Sequence, residues 1–180
     1  SELDKIVDLI YKSKKPIIYS GGGVVNSGDK ASALLEDLVR MTGFPITSTL
    51  QGLGAFPGDD QQFIGMLGMH VTYEANNAMH DCDLMINIGA RFDDRITGKI
   101  DKFSPGSKKI HIDIDPATIS KTITAHIPIV GAVEPVLAEM LVSAELHGDE
   151  ALIESLASLS RRMSEDQVEA FLLRCAGALD

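Results

Sequence analysis

The 180-residue chain has no tryptophan, only two cysteines, and 16 Lys and Arg against 26 Asp and Glu. Each shortage excludes something. Cys82 and Cys175 stand alone without C-x-x-C spacing, which argues against a disulfide framework and against a cysteine zinc site. They read as inert thiols of a reducing compartment. The deficit of bases argues against nucleic acid as a partner, because an acidic surface repels phosphate backbones. The excess acid is concentrated at one end, residues 134–180 carrying ten acids and three bases. No apolar run approaches the roughly 18 residues of a membrane span, and no secretory leader opens the chain, so no membrane partner is expected and a cytoplasmic location is. The first residues, Ser1-Glu2-Leu3-Asp4, lack a Met and suggest a piece of a longer protein.

What is present is an ordinary globular composition, 44% hydrophobic with 16 Gly, in a chain long enough to bury a good core. Residues 4–12 carry apolar positions at helical spacing, and Lys14-Lys15-Pro16 ends that helix ahead of a strand, 17–20. A helix over 29–41 stops near Gly43, a second strand covers 45–49, and 51–65 reads as a Gly/Pro-rich loop. Helix 72–81 leads to strand 84–88; strands 110–115 and 127–130 and helix 133–146 follow. Such alternation implies an α/β fold, a mostly parallel sheet with helices on both faces. The pattern divides the chain into an α/β domain, 1–147, and a helical tail, 148–180. In the tail Leu152, Leu156, Leu159 and Met163 form one stripe, and Ser164-Glu165-Asp166-Gln167 resembles a capping box.

The polar motifs gather at strand ends. Leu84-Met85-Ile86-Asn87-Ile88 runs into Gly89-Ala90-Arg91-Phe92-Asp93-Asp94-Arg95, delivering two guanidinium groups and two carboxylates to the carboxyl edge of the sheet, where open α/β sheets bind ligands. Arg suits phosphate and Asp suits sugar hydroxyls; the alternative is a solvated loop with local ion pairs. Gly21-Gly22-Gly23 can bring backbone N–H groups to a phosphate, or can simply make a tight turn. The dinucleotide fingerprint fails, since Asn26 occupies its third glycine position and Thr47-Ser48-Thr49 ends the second strand without an acid. Met66-Leu67-Gly68-Met69-His70 sets thioethers beside glycines, which suits a flat polarizable ring, with core filling as the alternative for Met66. Asp113-Ile114-Asp115-Pro116 ends another strand, as a ribose or adenine acceptor or as an N-cap by Asp115. His80 and Cys82 face different sides of a helix and make no metal site, and His111 inside a strand reads as structural. No Ser/His/Asp order recommends a hydrolase.

In order and spacing these stretches resemble the central domain of the acetolactate synthase (acetohydroxyacid synthase) large catalytic subunit. Lys15-Pro16 into Gly21–Gly23, Ser48-Thr49-Leu50-Gln51-Gly52, Met66–His70, Gly89–Arg95 with Thr97-Gly98, and His111–Pro116 carry the likeness, over roughly residues 3–142. The resemblance implies a six-stranded Rossmann-like domain that holds FAD within a thiamine-diphosphate- and magnesium-dependent transferase of branched-chain amino-acid biosynthesis. That enzyme condenses two 2-keto acids, pyruvate giving 2-acetolactate. It implies FAD contacts from Gly21, Gly22, Gly23, Thr49, Leu50, Leu67, Gly68, Met69, His70, Gly89, Ala90, Arg91, Asp93, Arg95, Ile96, Asp113, Ile114 and Gly131. Arg95 would recognise the carboxylate of the second keto acid, with Met69 and Asp94 at the active-site mouth. The implied partners are the other domains of the subunit, a homodimer or higher oligomer, and a regulatory subunit.

The chain departs from that pattern at Val71, where the family has Gly, and at Ala132, where it has Asp. Weak or absent FAD binding is therefore expected of this chain alone. It has no Gly-Asp-Gly…Asn magnesium motif, since Gly28-Asp29, Gly58-Asp59 and Gly148-Asp149 are not followed by Gly. No catalytic residue, metal ligand or thiamine diphosphate site is expected here, and no acetolactate formation by the chain alone. The rival readings are a cofactor-free scaffold used in subunit packing and a general nucleotide-binding module of the same fold.

Overall fold

The computed structural model describes residues 2–68 and 72–146. Six helices and six strands run in the order α1 (Glu2–Lys12), β1 (Pro16–Ser20), α2 (Gly22–Asn26), α3 (Asp29–Thr42), β2 (Ile46–Ser48), β3 (Phe63–Met66), α4 (Tyr73–Asp81), β4 (Leu84–Ile88), α5 (Asp94–Thr97), β5 (Lys108–Asp113), β6 (Ile127–Val130) and α6 (Val133–Leu146). The strands form one sheet in the order β3-β2-β1-β4-β5-β6, and every pairing is parallel.

Local chemistry sets where these elements start and stop. Asp83 accepts the N–H groups of Lys14 (2.7 Å) and Lys15 (3.0 Å) just ahead of Pro16, which pins the entry of β1 to that of β4 and puts Pro16 opposite Leu84. Proline is tolerated there because the first strand residue need not donate. Gly43 ends α3 in the left-handed region (φ 67°), its N–H donating to the Val39 carbonyl, an ending that glycine adopts without a Cβ penalty. Thr72 caps α4 by accepting from Ala75 N–H.

The core lies on both faces of the sheet. Ile18, Ile86, Ile88, Ile110 and Ile112 pack with α1, α3 and α6 residues such as Ile6, Leu34, Leu38 and Leu137. On the other face Ile17, Tyr19 and Met85 pack with Ala75 and Met79 of α4 and with Phe92, Phe103 and Ile123. Burial on both faces is why β1 and β4 read as unbroken apolar runs rather than alternating ones.

The structure corrects the reading of 51–65 as loop throughout. Phe63–Met66 is the edge strand β3, disguised because Gly65 sits at φ 93° and the register slips between Ile46 and Ser48. Strand β5 covers Lys108–Asp113 rather than 110–115. The stripe and capping box placed in 148–180 lie outside the described residues.

Candidate functional site

The sheet order reverses direction between β1 and β4, and the chain leaves those two strands toward opposite faces. This switch point, at the carboxyl edge, is where open parallel sheets leave a crevice. A cleft of about 590 Å³ opens there. Of the residues singled out in the sequence, Gly22, Gly23, Thr49, Leu50, Leu67, Gly68, Gly89, Ala90, Arg91, Asp93, Arg95, Ile96 and Asp113 line it. They come from five separate segments, brought together only by the parallel sheet.

The glycines work by closeness. A Cβ on Gly21 would stand 2.3 Å from the Gly89 carbonyl oxygen, and one on Gly23 would stand 2.7 Å from Gly89 Cα. The Gly21–Gly23 and Gly89–Ala90 turns therefore lie backbone to backbone, and they bond to each other. Gly21 N–H donates to the Ile88 carbonyl (2.9 Å), Gly23 N–H to Gly89 O (3.0 Å), and Gly89 N–H to Ile112 O (2.8 Å). The expectation of a phosphate cradle made from Gly21 and Gly23 N–H groups is thereby revised: both donors are already engaged. Arg91 and Arg95 form no ion pair among the described residues, unlike the pairing a merely solvated loop was expected to show.

Around the rim, Thr49 accepts the N–H of Gly52 (3.0 Å) through its hydroxyl, closing a 3-10 turn, Leu50–Gly52. Leu50 on that turn is 71% exposed beside the cleft. Asp93 caps α5 by accepting Arg95 N–H (3.0 Å), and this bond holds its carboxyl below the usual carboxylate range. Asp113 accepts Asp115 N–H (2.9 Å) and is nearly buried. Asp115 caps a turn rather than a helix, accepting Ala117 N–H at 2.9 Å.

Several expected residues stand elsewhere. Gly21 lies beneath the turn, not on the cleft wall. Gly131 supports β5 from behind, donating its N–H to the Asp113 carbonyl (3.0 Å), and Ile114 is exposed outside the lining. Asp94 faces a neighbouring cavity of about 410 Å³ with Lys121 and Thr122, which shares Arg91, Asp93, Asp115 and Thr118 with the cleft. Met69 and His70, like Val71, lie outside the described residues. Asn26, Gln51, Met66, Asp115 and Thr118 also line the cleft. In the sequence Asn26 stands out only as a departure from the glycine fingerprint, and Thr118 carries no signal, because only long-range folding brings it there.

Comparison with known proteins decides the family. Residues 3–140 match the model of the thiamine pyrophosphate enzyme central domain. The chain belongs to this family. Within it, the chain is similar to the acetolactate synthase large subunit of Buchnera aphidicola subsp. Schlechtendalia chinensis, 50% identical over 141 residues that cover 78% of this chain and 24% of that protein. It is likewise similar to the acetolactate synthase isozyme 3 large subunit of Escherichia coli K12, 45% identical over 140 residues (78% and 24%). A third relative is the chloroplastic acetolactate synthase of Arabidopsis thaliana, 48% identical over 140 residues (78% and 20%). The chain thus spans about a quarter or less of the length of these relatives. The six-stranded parallel sheet is the architecture expected from the resemblance to this central domain. Among the described residues no helix is long and apolar enough to cross a membrane.

Two histidines of this central domain are shifted by their surroundings, His111 fully buried in β5 and His126 exposed just ahead of β6. Burial pushes the His111 imidazole below its ordinary value, and partial desolvation does the same to His126. A base held down in the folded state takes up its proton more readily when unfolded. The stability it contributes is complete above about pH 6.5 and is lost as pH falls from there toward the folded values. The melting temperature should therefore decline as the pH is lowered from about 6.5 toward 5, with a shallower slope in His111→Gln. A melting curve unchanged over that window, or an identical slope in the variant, would contradict this account.

Proposed function

We propose that this chain is the flavin-binding middle segment of an acetolactate synthase large subunit, with residues 1–147 as the binding domain and 148–180 as a helical appendage. One observation carries the reading: at the switch point, a cleft of about 590 Å³ brings Arg91 and Arg95, neither in an ion pair among the described residues, together with closely packed glycine turns and the carboxylates of Asp93 and Asp113. That donor set fits a dinucleotide with a pyrophosphate and sugar hydroxyls. Arg91 would hold the FAD pyrophosphate, with Arg95, Asp93 and Ile96 toward the ribityl chain and Asp113 and Ile114 toward the adenosine. Gly22, Gly23, Gly89 and Ala90 would let the ligand lie close to the backbone, and Thr49, Leu50, Leu67, Gly68, Met69 and His70 would flank the flavin ring.

Bound FAD supplies no net redox step to the condensation of two 2-keto acids, so these residues bind and orient. In the complete, cytoplasmic subunit Arg95 would receive the second keto acid's carboxylate, with Met69 and Asp94 at the active-site mouth. Thiamine diphosphate and Mg²⁺ belong to other parts of that subunit, which works as a homodimer or larger assembly with a regulatory subunit. Titrating the chain with FAD and following flavin fluorescence and the melting temperature tests the reading. Free ligand at ten times its dissociation constant stabilises by roughly 1.4 kcal/mol, and no change in either signal at millimolar FAD would leave a scaffold role.

The chain by itself should purify colourless. Val71 puts branched bulk where the family resemblance implies Gly, and Ala132 lacks the carboxylate acceptor it implies, a hydrogen bond worth about 0.5–1.5 kcal/mol. A flavin ring left uncovered over about 100 Å² forgoes a further ~2.5 kcal/mol. Val71→Gly with Ala132→Asp should recover part of the affinity. Ala132 has a second role that the control must separate. Its carbonyl accepts Val136 N–H (3.4 Å), so it is the N-cap of α6, and Asp there adds about 0.5–2 kcal/mol without any ligand. The gain must therefore appear in FAD titrations as well as in melting. Stoichiometric yellow FAD straight from purification would show the expectation wrong.

A further inference from the structure

Two buried polar side chains of the sheet converge on a single residue of the cleft loop. Asn87 on β4, fully buried, accepts Ala90 N–H through Oδ1 (3.1 Å) and donates from Nδ2 to the Ala90 carbonyl (2.8 Å). His111 on the neighbouring strand β5, also fully buried, places Nε2 3.1 Å from the same carbonyl oxygen. A carbonyl only accepts, so Nε2 carries the proton. The Phe92 ring meets the imidazole edge-on with centroids 5.1 Å apart, closing the loop over it.

The neighbouring Gly89 is held just as completely, its N–H by Ile112 O and its carbonyl by Gly23 N–H. Both backbone polar groups of Gly89 and both of Ala90 are therefore satisfied internally, immediately before the chain presents Arg91 to the cleft. Apolar side chains at positions 87 and 111 would suit a two-sided buried sheet, but they would leave the N–H and carbonyl of the buried Ala90 without these partners. What the two polar side chains add is a fixed backbone at the point where Arg91 departs. A guanidinium on a fixed base loses less freedom when it meets an anion.

We propose that Asn87 and His111 are positioning residues for ligand binding, holding Ala90 so that Arg91 is preset toward an anionic ligand. The effect on affinity rests on the reading of the cleft as a flavin-nucleotide site; the effect on the loop does not. The whole chain is used for two measurements, amide hydrogen exchange at Ala90 and Arg91 and the dissociation constant for FAD. Asn87→Leu, similarly branched though larger and without the amide, and His111→Phe should each accelerate Ala90 exchange about tenfold and weaken FAD about tenfold, with exchange at Ile17, Ile18 and Tyr19 of β1 unchanged. His111→Gln, which keeps a donor for the carbonyl, should stay within about twofold of the parent in both. Should Asn87→Leu fail to fold, Asn87→Ser, which is smaller and still polar, carries the same comparison. Unchanged Ala90 exchange in the Asn87 and Phe variants, equal acceleration across the sheet, or a Gln variant as impaired as Phe would overturn the proposal. Absence of FAD binding in the parent chain would sink the flavin reading alone, because Ala90 exchange still decides the positioning role.

Discussion

Arg91→Ala is expected to leave the chain folded while weakening FAD by roughly 10- to 150-fold, the loss of one charge-assisted contact of about 1.5–3 kcal/mol. The two halves of the expectation have separate grounds. The affinity loss follows from the position of Arg91 on the cleft wall, directly after a loop whose backbone donors are engaged elsewhere, so that few protein groups remain to neutralise a pyrophosphate. The preserved fold follows from what Arg91 does not do. Its guanidinium forms no ion pair among the described residues and the residue is exposed. Arg91→Lys is a useful intermediate, since a point charge without the bidentate fork should recover part of the affinity. Isothermal titration beside a melting curve separates binding from folding, and unchanged FAD affinity in a folded Arg91→Ala would remove the arginine from the site.

The same region marks how far the residues alone could be read. Strands β1 and β4 were legible because both are continuous apolar runs with sharp ends, Lys15-Pro16 before one and Gly89 after the other. The arginine motif was legible because a run of charges following such a strand has to emerge at the carboxyl edge. Edge strand β3 was not, since Gly65 in the left-handed region and a slipped register erase the alternation that marks a strand. Five-residue α2 was hidden inside a glycine cluster that reads as a turn. The glycines themselves were read for the right property and the wrong use. Closeness was expected, but the close partner is the Gly89–Ala90 turn, and the N–H groups of Gly21 and Gly23 bond to the chain. His111 was read as structural from its place in a strand. Its bond to Ala90, and the matching pair from Asn87, depend on two strands becoming neighbours, which no local pattern announces.

That close approach makes Gly21→Ala the substitution with the largest expected effect on stability. The reason is space rather than backbone conformation, because Gly21 has φ −124° and ψ −175°, extended values that any residue adopts. An added Cβ would meet Gly89 O at 2.3 Å, Ala90 Cα at 2.5 Å and Ala90 Cβ at 2.6 Å. Two of those three atoms are backbone, so no rotamer change relieves the contact. The turn could separate only by stretching the Gly21 N–H bond to Ile88 O and the Gly23 N–H bond to Gly89 O. It would also disturb Ala90, which Asn87 and His111 hold from below. Overpacking of this kind costs about 1–3 kcal/mol, and more where the obstacle is backbone. For a chain of this length about 3 kcal/mol lowers the melting temperature by roughly 6–12 °C. Gly58→Ala is the matched control, since a Cβ there meets nothing within 4 Å and its φ lies outside the left-handed region. It should be neutral, or stabilising by about 0.4–1 kcal/mol through a less flexible unfolded chain. Melting temperatures for Gly21→Ala and Gly58→Ala that agree within a degree or two would mean that the two turns yield at little cost, and the rigid switch-point cleft argued from their contact would not stand.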